Sequence, residues 1–134
     1  HTAHIEVLNV IGSTNQYLKD KSMSIQNGHT CLAEAQTAGR GRHGRKWVSP
    51  YAASLYLSIH WSFAGGYSVL GGMSLAVGVA IVDALNKCGV QEVQLKWPND
   101  IYAQGKKLAG VLIEVEGQIG SGCEAIIGVG INVS

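Results

Sequence analysis

The sequence predicts an α/β domain of the α+β type, in which a mixed, largely antiparallel sheet is backed by helices. Short runs of alternating apolar and polar residues, concentrated in the second half of the chain, are typical of strands with one buried face. A long apolar segment over residues 67–88 is typical of a helix packed on such a sheet. Because short polar or glycine turns join the later strands, we expect those strands to run antiparallel.

The composition indicates one folded domain with a local concentration of positive charge. The chain has 134 residues, of which 46% are hydrophobic and 14% charged, enough for a single core. The formal net charge is +1, yet four of the ten lysines and arginines lie between Arg40 and Lys46. The protein as a whole is therefore not expected to bind polyanions, and the basic stretch is expected to be a site.

The cysteines and the apolar runs limit the possible classes further. Cys31, Cys88 and Cys123 are far apart and form no C-x-x-C pair, which disfavours a zinc site or a disulfide framework and favours the cytoplasm. The longest apolar run, residues 69–85, contains three glycines and Asp83, so we expect no membrane span.

The first part of the chain predicts a strand, a helix and a second strand. Residues 5–10 have strand character, and either Ser13 or Thr14 is the expected N-cap of a helix over residues 16–20. These hydroxyls either only cap the helix or also form a polar pocket wall. The second strand, residues 31–36, ends at Gln36, a candidate for orienting a ligand.

All of the arginines lie in one segment, residues 39–47, which we call the glycine-arginine loop. It reads Gly39-Arg40-Gly41-Arg42-His43-Gly44-Arg45-Lys46-Trp47. Glycines allow close approach to a ligand, and guanidinium groups bind carboxylates and phosphates through paired hydrogen bonds, so the loop predicts an anion receptor. A Rossmann fingerprint and a Walker loop are both disfavoured, since no helix follows directly and no Gly-Lys-Ser/Thr is present. A basic loop that contacts a nucleic-acid backbone is the alternative.

The middle of the chain predicts a half-buried strand and a buried helix. Over residues 55–62 apolar residues alternate with polar ones, and we expect His60 to be exposed. Residues 67–88 are apolar on all sides, so we expect this helix to pack deeply and to end at Gly89.

Four strands are expected in the remainder, over residues 93–97, 101–103, 108–115 and 125–133. The last of them has Gly128, Gly130 and Asn132 on one face, which predicts either a ligand or a closely packed helix there. Residues 96–100, Lys-Trp-Pro-Asn-Asp, place an amide beside a carboxylate, and one lysine of the turn at residues 104–107 is a candidate to point inward.

Taken together, these motifs strongly resemble biotin protein ligases, most of all the bacterial biotin operon repressor type. The resemblance covers nearly the whole chain and implies the core fold shared with class II aminoacyl-tRNA synthetases. It rests on Ser13-Thr14-Asn15, the glycine-arginine loop, Lys96-Trp97-Pro98-Asn99-Asp100, Gly105-Lys106-Lys107-Leu108-Ala109-Gly110 and Gly128-Val129-Gly130-Ile131-Asn132.

The resemblance implies that biotin and ATP form biotinyl-5'-AMP, and that biotin is then transferred to a lysine of the biotin carboxyl carrier protein of acetyl-CoA carboxylase. The implied catalytic residues are Lys107 and Arg42. The implied biotin contacts are Ser13, Thr14, Asn15, Gln36, Gly39, Arg40, Gly41, Arg42, Lys107 and Gly110. The implied ATP contacts are Arg42, Arg45, Trp47, Lys96, Asn99, Asp100 and Asn132. Mg²⁺ is expected with ATP, and Asp100 is its candidate contact.

The sequence departs from the family pattern at His43, where an arginine is common. We assign residues 1–134 to the catalytic core, without the family's small C-terminal β domain or the repressor's N-terminal helix-turn-helix. DNA binding is therefore not expected, whereas a homodimer is one possible state because family members often dimerise. A lipoate protein ligase, which uses the same adenylation logic, is the alternative function.

Overall fold

A computed structural model describes residues 4–21, 24–46, 54–63, 70–96, 100–117 and 123–132. The strands are β1 Ile5–Ile11, β2 Thr30–Gln36, β3 Ser54–Phe63, β4 Val93–Lys96, β5 Asp100–Ala103, β6 Lys106–Gly117 and β7 Cys123–Asn132. The helices are α1 Thr14–Asp20 and α2 Leu70–Lys87, and a 3-10 turn, Arg42–Gly44, lies in the glycine-arginine loop. The predicted elements are thus confirmed, with small shifts at their ends.

The strands form one seven-stranded sheet in the order β1-β2-β3-β7-β6-β5-β4. β1 runs parallel to β2, and every other neighbouring pair is antiparallel. The prediction of a mixed, largely antiparallel sheet is confirmed. β7 lies at the middle of this order, so its side chains and glycines form the centre of both faces of the sheet.

The two helices lie on opposite faces of the sheet. Asn15 of α1 contacts Gly128 of β7, whereas Gly78 of α2 contacts Leu95 of β4. Leu95 pairs with Ile101, Ile101 with Ala109, and Ala109 with Ile131, so the side chains of these four residues lie on the same face of the sheet. Ile131 is three positions from Gly128 on β7. Because side chains alternate along a strand, an odd separation places these contacts on opposite sides. We call the side of α1 and Gly128 the α1 face.

A small apolar core fills the space between α1 and the sheet. Leu18 of α1, Cys31 of β2 and Ile126 of β7 form this cluster, and Leu18 and Cys31 are fully buried. Burial raises the pKa of the Cys31 thiol to about 11, because the thiolate is poorly solvated there. Cys31 is therefore a structural residue.

The α1 face of β3 is the buried one, which corrects the expectation for this strand. Tyr56 and His60 are 1% and 2% exposed, whereas Leu55 and Trp61 are 38% and 46% exposed. The prediction that His60 is exposed is wrong: its Nε2 lies 3.3 Å from Glu124 Oε1. The physical reason is that α1 packs against β3 on this face, while α2 packs against β4, β5 and β6.

The helix α2 packs against the sheet as predicted, but it is only partly buried, so the prediction that it packs deeply is wrong. Leu75 and Val79 are 46% and 54% exposed. The buried side contains Gly78, where an added Cβ would lie 2.8 Å from Leu95 Cδ1. A helix beside one sheet face buries one side, whatever its composition. Within the described ranges, no helix is long and apolar enough to cross a membrane.

The end of α1 is joined to β1 by a cluster of polar side chains around Glu6. Glu6 Oε2 lies 2.7 Å from His29 Nε2, and Glu6 Oε1 accepts a hydrogen bond from the Tyr17 hydroxyl at 2.9 Å. The hydrogen bond from His29, supported by Tyr17 and Lys21, lowers the pKa of Glu6 and outweighs the opposing effect of burial. The ionised form of Glu6 is therefore the one that the fold favours.

Candidate functional site

A cavity of about 380 Å³ lies between the start of α1, the glycine-arginine loop, and β5, β6 and β7. This volume falls in the range of about 300–1,000 Å³ that is typical of small-molecule sites. The predicted site residues that line it are Ser13, Thr14, Asn15, Gln36, Arg40, Gly41, Arg42, Arg45, Asp100, Lys107 and Gly110. Segments that are far apart in the sequence thus meet at one cavity. This is what we expect if they form one site.

The start of α1 supplies the first polar wall of the cavity. Ser13 is the N-cap: its backbone is extended, and its Oγ accepts a hydrogen bond from the Gln16 amide at 3.3 Å. The Thr14 amide and hydroxyl instead lie 2.8 and 3.1 Å from Gln36 Oε1. The second alternative therefore holds, because Ser13 caps the helix and Thr14 also contributes to the polar wall of the cavity.

A buried serine connects the polar groups of this wall. Ser58 is fully buried, and its hydroxyl lies 2.7 Å from the Thr14 hydroxyl and in contact with Asn15 Oδ1. A serine hydroxyl carries one proton and an amide oxygen only accepts, so Ser58 donates to Asn15 Oδ1, and its oxygen accepts from the Thr14 hydroxyl. The polar wall is therefore a hydrogen-bonded network with a defined direction, which is suited to reading a polar ligand.

Asn15 is packed tightly between α1 and the sheet. Its Nδ2 donates to Glu114 Oε1 at 2.9 Å and approaches the Leu112 carbonyl oxygen at 3.4 Å. A Cβ added at Gly128 would lie 2.3 Å from Asn15 Oδ1, closer than atoms can approach. The bare face predicted for β7 is thus used by a helix side chain at Gly128, and Gly128 and Gly130 also line the cavity.

The guanidinium group of Arg40 is held by two side-chain partners, and its side chain is 35% exposed. Its Nη2 lies 2.5 Å from Glu114 Oε1, and its Nη1 donates to Gln16 Oε1 at 2.9 Å. Its Nε is buried and has no hydrogen-bond partner among the described residues. Arg40 therefore lines the cavity already paired with Glu114, and its assignment as a biotin contact stays a prediction.

The rest of the glycine-arginine loop folds back on itself as a short hairpin. Arg40 and Lys46 form an isolated antiparallel bridge, and the Gly41 amide donates to the Arg45 carbonyl oxygen at 2.7 Å. The 3-10 turn between them begins at Arg42 and ends at Gly44, which has a φ of +72°. Glycine adopts this conformation at little cost. Arg42 and Arg45 line the cavity as the remaining guanidinium groups.

Lys107 lies on the opposite wall of the cavity. Its Nζ is 3.1 Å from Asp100 Oδ1, and both side chains are a little more than one third exposed. Lys107 pairs with Tyr102, and Ala109 pairs with Ile101, so Leu108 is an extra residue in β6. This bulge places Lys107 on the α1 face together with Asp100, as β-bulges commonly re-aim side chains near functional sites.

Several predicted residues lie elsewhere. Gly39 lines a neighbouring cleft of about 1040 Å³ on the other side of Arg40. The Lys96 ammonium lies 5.1 Å from the centre of the Tyr102 ring. Asn132 accepts a hydrogen bond from Ser54 Oγ at 3.1 Å and donates to the Lys107 carbonyl oxygen at 3.4 Å, beside the cavity. The predicted ATP contacts Trp47 and Asn99 lie outside the described residues.

Two residues of the network were not predicted from the sequence. Ser58 and Glu114 occupy alternating positions of ordinary strands, where a polar residue usually faces solvent. No local pattern distinguishes them. Their importance follows from the register, which places both on the α1 face beside Asn15.

The cavity combines a polar wall, guanidinium groups and a lysine on one face of an antiparallel sheet. These features are suited to a small polar acid that is bound together with further negative charge. The chain belongs to the Biotin/lipoate A/B protein ligase family, whose model matches residues 7–132.

Individual proteins of known name are similar over nearly the whole chain. The bifunctional ligase/repressor BirA of Escherichia coli K12 is 48% identical over 130 residues, which cover 97% of this chain and 40% of that protein. The biotin--[acetyl-CoA-carboxylase] ligase of Mycobacterium tuberculosis is 39% identical, over 97% of this chain and 49% of its own length. The chain thus spans less than half of the length of either relative.

A solved structure is similar in fold. The biotin protein ligase from Aquifex aeolicus in complex with biotin and ATP superimposes with a TM-score of 0.82 at 34% identity. The match covers 99% of this chain and 53% of that one. The expected biotin ligase-like core is therefore confirmed as the fold of this chain.

Proposed function

We propose that this chain is the catalytic core of a biotin protein ligase, which activates biotin with ATP and transfers it to a lysine of a carrier protein. The assignment of residues 1–134 to that core is part of the proposal. The observation that carries it is that the start of α1, the glycine-arginine loop and Lys107 all line the same cavity of about 380 Å³.

The polar wall supports biotin as the acid. The ureido group of biotin has one carbonyl oxygen and two N–H groups, all of which need hydrogen-bond partners when buried. Thr14, Asn15 and Gln36 offer hydroxyl and amide groups along one side of the cavity. Lipoate has a dithiolane ring at the corresponding end, which has no N–H group or carbonyl oxygen to pair with this wall. A site built to pair a polar ligand rejects an apolar analogue strongly.

The positive side chains support the first chemical step. An oxygen of the biotin carboxylate attacks the α-phosphorus of ATP, the bond from that phosphorus to the β-bridging oxygen breaks, and pyrophosphate leaves with the electron pair. This step brings two anions together, so Lys107 and Arg42 at the cavity lower the electrostatic cost. Lys107 would lie between the carboxylate and the α-phosphate, and Arg42 would bind the phosphate.

In the second step, the neutral amine of the carrier lysine attacks the carbonyl carbon of biotinyl-5'-AMP. The amine loses a proton, AMP leaves, and an amide bond joins biotin to the carrier. The proposed acceptor is the biotin carboxyl carrier protein of acetyl-CoA carboxylase. A homodimer, a cytoplasmic location and the absence of DNA binding by these residues stay predictions.

The ATP contacts are proposed from a smaller set of residues. Arg42, Arg45 and Asp100 line the cavity, while Lys96 and Asn132 lie beside it. Mg²⁺ usually takes one or two carboxylates together with substrate phosphates and waters, and Asp100 fits that requirement. Bound with ATP, the ion would neutralise phosphate charge. Asp100 in addition positions the Lys107 ammonium, through the 3.1 Å ion pair.

Binding and adenylation measurements on matched lysine variants test this proposal. We expect biotin to bind the 134-residue chain in calorimetry, and [α-³²P]ATP with Mg²⁺ to give biotinyl-5'-AMP. Lys107→Ala should lower the adenylation rate by about 100-fold or more, as loss of one charge-stabilising group does. The matched control is Lys106→Ala, whose exposed side chain precedes Lys107 in the same strand. Equal rates for the two variants would refute the role of Lys107.

Competition between acids separates the two functions of the family. Biotin binding that excess lipoate does not displace supports the proposal. Binding of lipoate by a sample that ignores biotin would assign the chain to lipoate ligation instead. A folded chain that binds neither acid but binds a random oligonucleotide, with an affinity that falls steeply with salt, would support the basic-loop alternative.

A further inference from the structure

Glu114 touches both halves of the candidate site, although no pattern in the sequence singles it out. It lies on β6 on the α1 face, and its side chain is 23% exposed. One oxygen, Oε1, accepts a hydrogen bond from Asn15 Nδ2 at 2.9 Å and from Arg40 Nη2 at 2.5 Å. Building on the proposed function, we propose that Glu114 is a positioning residue that fixes the polar wall and the glycine-arginine loop together.

The first effect of Glu114 is on the orientation of the Asn15 amide. An ionised carboxylate only accepts hydrogen bonds, so Asn15 must turn its Nδ2 toward Glu114. Asn15 Oδ1 then faces the Ser58 hydroxyl, which it contacts. The Ser58 hydroxyl also lies 2.7 Å from the Thr14 hydroxyl. Glu114 therefore decides the direction of the hydrogen bonds along this wall.

This direction matters for a ureido ligand. The ligand presents an acceptor between two donors, and only a wall with the complementary order of groups pairs all three. If Glu114 is removed, the longer 3.4 Å hydrogen bond from Nδ2 to the Leu112 carbonyl oxygen is the remaining restraint on the Asn15 amide, and a half-turn of the amide would exchange its donor and its acceptor. The wall then presents a mixture of two patterns, of which one fits. Glu114 thus contributes to affinity without touching the ligand.

The second effect of Glu114 is on the glycine-arginine loop. Arg40 begins the short hairpin that the bridge to Lys46 closes, and Arg42 follows two residues later at the cavity. A charge-assisted pair between guanidinium and carboxylate is about twice as strong as a neutral hydrogen bond. Within the described residues, the other side chain that holds Arg40 is Gln16, whose Oε1 accepts a hydrogen bond from Nη1 at 2.9 Å. Loss of Glu114 therefore leaves the start of the loop weakly held.

The matched control is the next side chain of β6 on the same face. Glu116 Oε1 lies 3.3 Å from Lys19 Nζ, and the same ammonium lies 4.0 Å from Glu114 Oε2. Glu116 has more than half of its side chain exposed, and its ion pair is to Lys19. Glu116→Ala therefore removes the same charge from the same strand and leaves the proposed connection intact.

Biotin titration of the 134-residue chain tests the effect on the wall. We expect Glu114→Ala to weaken biotin binding by about 10- to 100-fold, which corresponds to a fitting orientation of the Asn15 amide that is populated in only about 10% to 1% of molecules. Glu114→Gln keeps an acceptor for Asn15 and loses the charge, so it should rescue part of the affinity. Glu116→Ala should bind as the wild type does. Wild-type affinity in Glu114→Ala, or equal loss in Glu114→Ala and Glu116→Ala, would overturn the effect on the wall.

A double-mutant cycle shows whether Glu114 acts through Asn15. If it does, Glu114→Ala should weaken binding by less than about threefold once Asn15 is already alanine, since coupled residues are not additive. Full additivity of the two losses would show that Glu114 does not act through Asn15. Circular dichroism and the melting temperature, measured on each variant, establish that the compared samples are folded.

Limited trypsin digestion tests the effect on the loop without any ligand. The loop contains its own cleavage sites, at Arg42, Arg45 and Lys46. We expect Glu114→Ala to be cut there several-fold faster than the wild type or Glu116→Ala, and an unchanged rate would overturn the effect on the loop. A wild-type chain that fails to bind biotin would refute the proposed function, whereas faster cleavage of Glu114→Ala would still support the positioning of the loop.

Discussion

Gly128→Ala is the substitution for which the structure predicts the largest effect from the smallest change. A Cβ at this position would lie 2.3 Å from Asn15 Oδ1, 2.8 Å from Cγ and 2.9 Å from Nδ2. Distances below 3.0 Å to three atoms of one side chain leave no acceptable rotation of that amide in place. Asn15 must therefore move away, and its hydrogen bonds to Glu114 and the Leu112 carbonyl group must lengthen or break.

The expected cost is the sum of two effects. An extra carbon in a tightly packed interior costs about 1–3 kcal/mol of unfolding free energy. The loss of the buried hydrogen bonds of Asn15 adds about 1–2 kcal/mol. The total of about 2–5 kcal/mol is no more than the lower limit of about 5 kcal/mol for the usual stability of a domain, so the variant should still fold. For a chain of this size, the melting temperature should fall by about 6–20 °C.

Thermal unfolding and biotin titration of the same variants measure both consequences. Besides its lower melting temperature, Gly128→Ala should bind biotin at least about tenfold more weakly, because one hydrogen bond of the wall is displaced. Gly72→Ala is the control, since among the described residues the added Cβ would meet no atom within 4 Å outside its own stretch of helix, and alanine favours a helix by up to about 1 kcal/mol. It should raise the melting temperature and leave binding unchanged.

A second substitution identifies Asn15 as the cause. In Gly128→Ala/Asn15→Ala the clash is gone, so the double variant should lose less stability than the sum of the two single variants. It should not regain biotin binding. A Gly128→Ala variant with a melting temperature within about 1 °C of the wild type and an unchanged affinity would show that Asn15 does not occupy the position assigned to it.

Three further predictions concern regions outside the cavity. Because the pKa of Glu6 is lowered below its ordinary 4.5, its contribution to stability is present above pH 4.5 and is lost as the pH falls through the lowered value. In urea unfolding, Glu6→Gln should therefore have a lower unfolding free energy than the wild type at pH 7, and this difference should shrink below pH 4.5. A thiol reagent at pH 8 should label Cys88 quickly and the buried Cys31 and Cys123 only after denaturation, whereas rapid labelling of three thiols would contradict the burial. Gln104 has a φ of +53°, a conformation that asparagine adopts more readily than glutamine, so Gln104→Asn should raise the unfolding free energy by about 0.5–1 kcal/mol. A lower melting temperature for this variant would contradict the strain assigned to Gln104.

The strands and the glycine-arginine loop could be predicted from the sequence because their signals are local. Alternation, turn residues and a cluster of arginines each occupy fewer than about a dozen neighbouring positions. The buried face of β3 could not be predicted in this way. His60 and Tyr56 are inside because α1 covers that face, and nothing within the strand records where α1 packs.

The prediction of how deeply α2 is buried failed for a related reason. Its apolar residues surround the helix, which indicates burial on all sides, yet the sheet offers contacts to one side only. Arg40 and Glu114 show the same limit within the site. An arginine in a basic loop looks free to bind an anion, and a glutamate in a strand looks exposed. Their 2.5 Å ion pair joins residues 74 positions apart and depends on the register of the whole sheet.

Local turn chemistry nevertheless explains which of two adjacent lysines reaches the cavity. Gln104 and Gly105 both have positive φ, as a two-residue type I′ hairpin turn requires. Such a turn pairs Ala103 with Lys106, and therefore Tyr102 with Lys107, on the α1 face. The hairpin thus selects Lys107 for the cavity and leaves Lys106 outside it.

The remainder of β6 has the opposite requirement. Gly110 pairs with Gly130, which is two positions from Gly128, so Gly110 lies on the α1 face. If the residues of β6 alternated strictly from Gly110, Leu108 would face the cavity and Lys107 would lie on the other side of the sheet. Both requirements are met only if Leu108 is bulged out of the ladder, as it is. The position of the proposed catalytic lysine is therefore where two registers meet. Because the turn sets one of those registers, a change there is expected to alter catalysis although the turn does not line the cavity.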